Sequence, residues 1–250
     1  MKPWPYPLWI AHRGAGKLAP ENTLAAFRVG TAHGYRAFEC DVKLSADGVP
    51  FLLHDATLER TTSGVGAAGV RSWIELSRLD AGGWHSRGFA GEPLPRLEAI
   101  ARYCLRNDAA LNIEIKPAPD DVDRTGRIVA LDAARLWAGQ AMAPLLSSFE
   151  PVALAAAREA APHLPRALLL DALRDGWFAQ VQALGCVAVV TNHGLMDAAL
   201  IRRLHGAGLR ALVYTVNDAA RAEALLGLGI DGIITDAVDR FAPVNSCSQR

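Results

Sequence analysis

Short apolar runs, often β-branched, alternate with longer stretches of helical periodicity along almost the whole 250-residue chain. That alternation is what a parallel sheet with crossover helices requires, and it excludes an all-helical or all-antiparallel fold. The strand-like runs are Leu8–His12, Arg36–Lys43, Pro50–His54, Leu111–Lys116, Pro144–Ser148, Arg166–Leu170, Cys186–Thr191, Arg210–Thr215 and Ile230–Asp236. Helical segments begin near Glu21, Arg96, Asp121, Glu150, Asp175, Met196, Asp218 and Val238, several with an acidic or polar residue in the first turn.

Nine strand-like runs are one too many for an eightfold barrel. Pro50–His54 follows Arg36–Lys43 after a loop of about six residues containing Asp47-Gly48, whereas a parallel crossover needs a dozen or more. These two runs must therefore pair as an antiparallel hairpin, with Asp-Gly at its turn. Setting that arm aside leaves eight β-then-α units. The expectation is an α/β fold, a TIM (β/α)8 barrel with a small insertion after the second strand, rather than an open doubly wound sheet; no G-x-G-x-x-G follows the first strand. Residues 55–93 break the rhythm, being rich in Gly, Ser, Thr and Arg with Trp73, Trp84 and Phe89 interspersed, and read as an insertion over the C-terminal mouth of the barrel. Residues 1–250 then form one domain.

The 26 Lys+Arg balance 26 Asp+Glu, with no basic cluster, so nothing draws the chain toward nucleic acid. No apolar run nears the roughly 18 residues that span a bilayer, and no amphipathic anchor for stable membrane association is evident. The opening Met1-Lys2-Pro3-Trp4-Pro5-Tyr6-Pro7 is too proline-rich for a signal peptide, which makes a cytoplasmic location the expectation. Cys40, Cys104, Cys186 and Cys247 form no C-x-x-C pair, so neither a zinc site nor a redox pair is expected; Cys40 and Cys186 read as buried structural thiols. The tail beyond Phe241 reads as frayed, and the sequence leaves the oligomeric state open.

Chemistry concentrates at the ends of the strands. In Phe38-Glu39-Cys40-Asp41-Val42 the period-2 alternation turns both carboxylates one way and the three apolar side chains the other. Asn112, Glu114 and Lys116 likewise separate from Ile113 and Ile115. Charged groups facing the axis near the C-terminal ends of barrel strands are where such enzymes hold catalytic groups, although a buried salt-bridge network or a wet strand face has the same pattern. His12-Arg13-Gly14 closes the first strand at that end, and His54-Asp55 closes the hairpin arm.

Glu39, Asp41 and Glu114 against Arg13 and Lys116 leave about one negative charge with neutral histidines, and like carboxylates a few ångströms apart repel by roughly 4 kcal/mol at an effective dielectric of 20. A divalent cation relieves that repulsion and leaves about one positive charge, matched to a phosphodiester. All-oxygen ligation suits Mg²⁺ or Ca²⁺ better than zinc.

At these residues the chain resembles the glycerophosphodiester phosphodiesterase family. The motifs are His12-Arg13-Gly14 with Ala19-Pro20-Glu21-Asn22-Thr23-Leu24-Ala25-Ala26-Phe27, then Phe38-Glu39-Cys40-Asp41-Val42, and Asp47-Gly48-Val49-Pro50 leading to His54-Asp55. Thr61-Thr62-Ser63-Gly64, Asn112-Ile113-Glu114-Ile115-Lys116, Ser147-Ser148-Phe149, Tyr214-Thr215-Val216-Asn217 and Asp231-Gly232-Ile233-Ile234-Thr235-Asp236 follow in order. The resemblance implies a TIM barrel that hydrolyses glycerophosphodiesters to sn-glycerol 3-phosphate and an alcohol with one divalent cation, Mg²⁺ or Ca²⁺. It implies His12 and His54 as the acid/base pair, Glu39, Asp41 and Glu114 as metal ligands, and Arg13 and Lys116 as phosphate clamps. Tyr214 stands where the family often has Trp packed against substrate, and Phe149 is a candidate floor for the pocket.

Alternative readings are a lysophospholipase D-type phosphodiesterase and a non-catalytic barrel that binds glycerol phosphates. Either water or the substrate's glycerol 2-hydroxyl can be the first nucleophile. Glu21 reads as a helix-starting residue beside Pro20, Asn22 as either structural or functional, and His33, His85, His163 and His205 as surface or structural. Asn192-His193 fits either description.

Overall fold

Strand β1 (Trp9–Ala11) lies between β2 (Ala37–Leu44) and β9 (Gly232–Thr235), parallel to both, and this closes the sheet into a ring. The computed structural model describes residues 3–241 and 243. The remaining strands are β3 (Pro50–Leu52), β4 (Ala110–Ile115), β5 (Leu145–Ser148), β6 (Arg166–Leu170), β7 (Ala188–Asn192) and β8 (Arg210–Tyr214). Their order is β1-β9-β8-β7-β6-β5-β4-β2, every neighbour parallel, with β3 antiparallel on β2. The expected (β/α)8 barrel and its hairpin arm are both present.

The helices are α1 (Leu24–Ala32), α2 (Trp73–Leu76), α3 (Leu97–Arg106), α4 (Val122–Leu136), α5 (Pro151–Ala160), α6 (Trp177–Ala183), α7 (Ala198–Gly206) and α8 (Ala219–Gly227). Thr23, Asp197 and Asp218 cap α1, α7 and α8 through side-chain oxygens that accept from Ala26, Leu200 and Arg221 backbone N–H groups. Outward-facing Phe38, Cys40, Val42, Ile113 and Ile115 pack against helix residues such as Leu97, Ile100 and Val129, each large side chain contributing about 1.5–3 kcal/mol by burial. α2 belongs to the inserted segment, which has its own small core of Leu58, Ala68, Leu76 and Leu94 against Phe51 and Leu53.

Inward positions change character along the axis. At the N-terminal end Ile10, Ala37, Ala110, Leu145, Leu212 and Ile234 fill the ring with apolar atoms. Two residues further along the same strands stand His12, Glu39, Asn112, Ser147, Tyr214 and Asp236. The barrel is thus plugged below and polar above, and its C-terminal mouth is the end that carries chemistry.

Two expected helix starts differ. Glu21 precedes α1 by three residues, because Thr23 is the residue whose side chain caps the helix. No helix starts at Val238 among the described residues: Arg240 and Phe241 N–H both donate to the Ala237 carbonyl in a turn. The Phe241 ring is held stacked on Trp9 at 4.7 Å. Cys40, Cys104 and Cys186 are buried free thiols; Cys247 and the segment from Val244 to Arg250, expected to be frayed, lie outside the described residues. No helix among the described residues is long and apolar enough to cross a membrane.

Candidate active site

The register that pairs Ala11 with Thr235 makes the next residues, His12 and Asp236, neighbours at the mouth. His12 Nδ1 is 2.6 Å from Asp236 Oδ1, which leaves Nε2 turned toward Glu39, 3.8 Å from Oε2. Burial opposes charge on the ring, but the Asp236 hydrogen bond and Glu39 outweigh it and raise the His12 pKa above its ordinary value. Burial likewise opposes ionisation of Asp236, and His12 and Asn217 overcome it to hold that carboxyl near 2.

The chain turns sharply after His12, with Arg13 at φ 51° and Gly14 at φ 99°. A Cβ on Gly30 would fall 2.1 Å from the Gly14 carbonyl, so a glycine there lets α1 pack against this turn. Strained as it is, the turn aims Arg13 at the acids: its backbone N–H donates to Glu39 Oε2 at 3.1 Å. Its Nε stands 3.2 Å from Asp41 Oδ2, and Nη1 2.8 Å from Glu21 Oε1.

Glu39, Asp41 and Glu114 each place a carboxylate oxygen within 4.8 Å of the others. Asp41 is gripped from two sides by Asn22, whose Nδ2 donates to Oδ2 at 2.8 Å and whose Oδ1 accepts the Asp41 N–H at 3.1 Å. Asn22 takes φ 60° to do so, a conformation asparagine tolerates better than most residues. Lys116 Nζ lies 2.9 Å from Glu114 and 3.6 Å from Asp41. These contacts split the acids electrically. Burial resists ionisation of Asp41, but Arg13 and Lys116 prevail and lower its pKa. Burial and the neighbouring Asp41 charge push Glu39 up to about 8 and raise Glu114 as well. Glu39 Oε1 is buried with no hydrogen-bond partner among the described residues, as are the Asn112 amide and Ser147 Oγ on nearby strands.

His54 follows the hairpin arm and mirrors His12: its Nδ1 is 2.7 Å from Asp55 Oδ1. Burial and the cations Arg13 and Lys116 outweigh Asp41 and Asp55 and lower its pKa. Arg60, from the insertion, clasps Asp55 with Nε at 2.6 Å and Glu21 with Nη1 and Nη2 at 2.8 Å each. The insertion thus fixes the second histidine's partner, and Glu21 belongs to the site's charge network rather than to a helix.

Phe149 and Tyr214 meet edge to face, centroids 5.7 Å apart, and the Tyr214 hydroxyl donates to the Leu170 carbonyl at 3.2 Å. Beyond Phe149 lies a cavity of about 550 Å³ bounded by Leu168, Leu170, Asp171, Asp175 and Trp177.

The residues singled out from the sequence gather at this mouth: His12, Arg13, Glu39, Asp41, Glu114 and Lys116 are in direct contact. His54 joins them through electrostatic interaction with Asp41, and Phe149 and Tyr214 form a separate wall. Sequence reasoning left Asn22 open and missed the partners Asp236, Glu21 and Arg60. All but Arg60 sit in the motifs that carried the resemblance, which was the available signal. Asn192 accepts from Gly194 N–H at 2.9 Å and caps a turn. His205 pairs with Asp231 at 2.6 Å and His85 with the Lys17 carbonyl at 3.1 Å, both structural contacts.

Residues 12–240 match the model of the glycerophosphoryl diester phosphodiesterase family. The chain belongs to that family. A glycerophosphodiester phosphodiesterase of Caldanaerobacter subterraneus subsp. tengcongensis is 32% identical over 230 residues, covering 92% of this chain and 93% of its own. A solved phosphodiesterase of Oleispira antarctica, in complex with the product sn-glycerol-3-phosphate, superposes with TM-score 0.87 at 31% identity, covering 93% of this chain and 94% of its own. A glycerophosphodiester phosphodiesterase of Agrobacterium tumefaciens gives 0.79 at 30% identity, covering 95% and 100%. As a family member, the chain is a phosphodiesterase of glycerophosphodiesters, with its buried carboxylate cluster in the mouth of a TIM barrel.

Proposed function

We propose that this enzyme hydrolyses glycerophosphodiesters to sn-glycerol 3-phosphate and an alcohol, with His12 and His54 as the acid/base pair and one divalent cation, Mg²⁺ or Ca²⁺, held by Glu39, Asp41 and Glu114. The observation that carries it is the presence of two histidine–carboxylate pairs beside one three-carboxylate cluster in a single barrel mouth. The product named for the Oleispira antarctica structure supports the glycerol phosphate half of the substrate.

The donor set fits a hard cation. Three carboxylates converge within 4.8 Å, Glu39 Oε1 has no hydrogen-bond partner among the described residues, and burial together with the Asp41 charge pushes Glu39 up to about 8. Bound there, a divalent ion supplies Lewis-acid polarisation of a phosphoryl oxygen. The chain's own residues do the rest. Arg13 and Lys116 present fixed positive charge to the phosphoryl oxygens. One histidine takes the proton of the attacking oxygen as its bond to phosphorus forms. The other gives a proton to the alcohol oxygen as the bond from phosphorus to that oxygen breaks, so protons balance over the turnover. With Nδ1 of each ring committed to Asp236 or Asp55, Nε2 is left to exchange the proton. We assign Phe149 and Tyr214, which meet edge to face, to the wall against which the diester packs.

The cavity beyond Phe149 mixes Leu168, Leu170 and Trp177 with Glu150, Asp171, Arg174 and Asp175, a lining that suits a polar alcohol group better than an acyl chain; a lysophospholipid is the second substrate class to be tested. We place the enzyme in the cytoplasm, on the support of three buried free thiols, and treat the chain as one catalytic domain. The test is coupled detection of sn-glycerol 3-phosphate from glycerophosphocholine, glycerophosphoethanolamine and a lysophospholipid, each with Mg²⁺ and with Ca²⁺. Product from the first two supports the main reading, and glycerophosphate released from none of them overturns it.

A further inference from the structure

The roles above leave one buried cation at the barrel mouth unused among the described residues. The alternation of β2 that turns Glu39 and Asp41 inward turns Lys43 inward too, and the register pairing Asp41 with Glu114 sets Lys43 level with Lys116, one layer nearer the mouth. Lys116 is neutralised by Glu114 and Asp41. Lys43 is only 9% exposed and makes no carboxylate ion pair among the described residues. The one hydrogen bond of its ammonium among the described residues is a long 3.4 Å contact to the Lys116 carbonyl. Asp41, Asp55 and Glu114 act on it only from beyond ion-pair distance, while Lys116 repels it.

An ammonium has three donors, and burying it with a single weak acceptor is unfavourable unless an anion arrives. Two lysines side by side at the top of neighbouring strands are stabilised by an anion that bridges them. We propose that Lys43 is a further substrate-contacting cation, binding the phosphoryl group together with Lys116 and holding it more strongly as its negative charge grows. This rests on the phosphodiesterase reading given above. A diester brings one negative charge; the five-coordinate phosphorus of the transition state and the monoester product carry about two. A cation left unsatisfied in the free enzyme and placed beside that group gains more from the second charge than from the first, so its contribution falls on kcat and on product affinity more than on KM.

The experiment compares the parent enzyme with Lys43→Met, Lys43→Gln and Lys43→Arg, measuring kcat and KM on glycerophosphocholine, inhibition by sn-glycerol 3-phosphate, and direct calorimetric binding of sn-glycerol 3-phosphate. Lys43→Met and Lys43→Gln are expected to lower kcat by about tenfold or more with a smaller change in KM, and to weaken product binding by a similar factor. Their melting temperatures should match or exceed the parent's, because an unpaired buried charge is gone. Lys43→Arg should retain more product affinity than either neutral variant. Parent-like kcat and product affinity in a folded neutral variant overturn the proposal, as does a kcat loss with product binding intact. Calorimetry needs no turnover, so an inactive parent that binds sn-glycerol 3-phosphate through Lys43 fails the phosphodiesterase reading and not this one. If the methionine variant does not fold, the glutamine variant carries the same comparison.

Discussion

Asp236 Oδ1 stands 2.6 Å from His12 Nδ1 although 224 residues separate them along the chain. The contact exists because β9 closes the ring against β1 in the register Ala11 to Thr235. A carboxylate so placed fixes the tautomer of the ring and stabilises its protonated form.

Asp236→Asn is therefore expected to lower kcat at least ~10-fold, and the limb of the pH–rate profile that reports His12 should move to lower pH, since the raised pKa loses its support. The same carboxyl is held near 2 in the fold against an ordinary 3.8. Its stabilisation is present above 3.8 and is lost as pH falls through about 2. Urea unfolding of the two proteins should differ at neutral pH and converge in acid. A profile and stability identical to the parent's would contradict the role given to Asp236.

Glu39 has the opposite linkage. Its folded pKa of about 8 lies above the ordinary 4.5, so the metal-free native state binds this proton more tightly than the unfolded chain does. The associated stability is complete below 4.5 and is lost as pH rises through about 8. The melting temperature of chelated protein should fall over that interval, and saturating Mg²⁺ or Ca²⁺ should restore it. Glu39→Gln should flatten the pH dependence and abolish the metal-induced rise while reducing turnover at least ~10²-fold. A chelated protein with level melting temperature between about pH 5 and 8 would refute the assignment.

His54→Ala should lose at least ~10²-fold in kcat with the far-ultraviolet circular dichroism unchanged. The imidazole is 32% exposed, and Arg60 continues to hold Asp55 without it. Turnover near the parent value would remove His54 from the acid/base pair.

Asn22 serves by two routes, a side chain that brackets Asp41 and a backbone at φ 60°. Asn22→Ala loses both hydrogen bonds and leaves a strained alanine, for an expected destabilisation of about 1–3 kcal/mol in urea unfolding. Asn22→Gly relieves the backbone strain but not the lost bonds, so its stability should lie between alanine variant and parent. Cation affinity, read by calorimetry, should drop about 10–100-fold in both, as for other groups that orient a ligand. Equal affinity in all three proteins would show that Asp41 needs no such bracket.

Much of the architecture is written in short-range patterns. Period-2 alternation in residues 38–42 and 112–116 was enough to set Glu39, Asp41, Glu114 and Lys116 on one face, and loop length alone paired β3 antiparallel with β2. The same alternation carries Lys43 inward, and counting only the motif residues passed over it. Helix ends were less legible. A polar residue near a helix start is a cap only when its oxygen meets a free N–H, and at α1 that residue is Thr23, which frees Glu21 to bind Arg13 and Arg60.

By itself the sequence determined the strand and helix alternation, the hairpin, and which side chains of each strand face the axis, because each of these depends on residues a few positions apart. Only the tertiary structure decided which carboxylate orients which histidine, that Asn22 brackets Asp41, and that Arg60 ties the insertion to Glu21 and Asp55. The His12–Asp236 pairing follows from ring closure and strand register, which bring together residues 224 positions apart with no signal of their contact in the chain. His54 and Asp55 are neighbours in sequence, and what the fold adds is Arg60 and Glu21 around them. The charge balance of the mouth was settled there too: a side chain's burial and partners, and not its identity, drive Glu39 up to about 8 while holding Asp41 below its usual range.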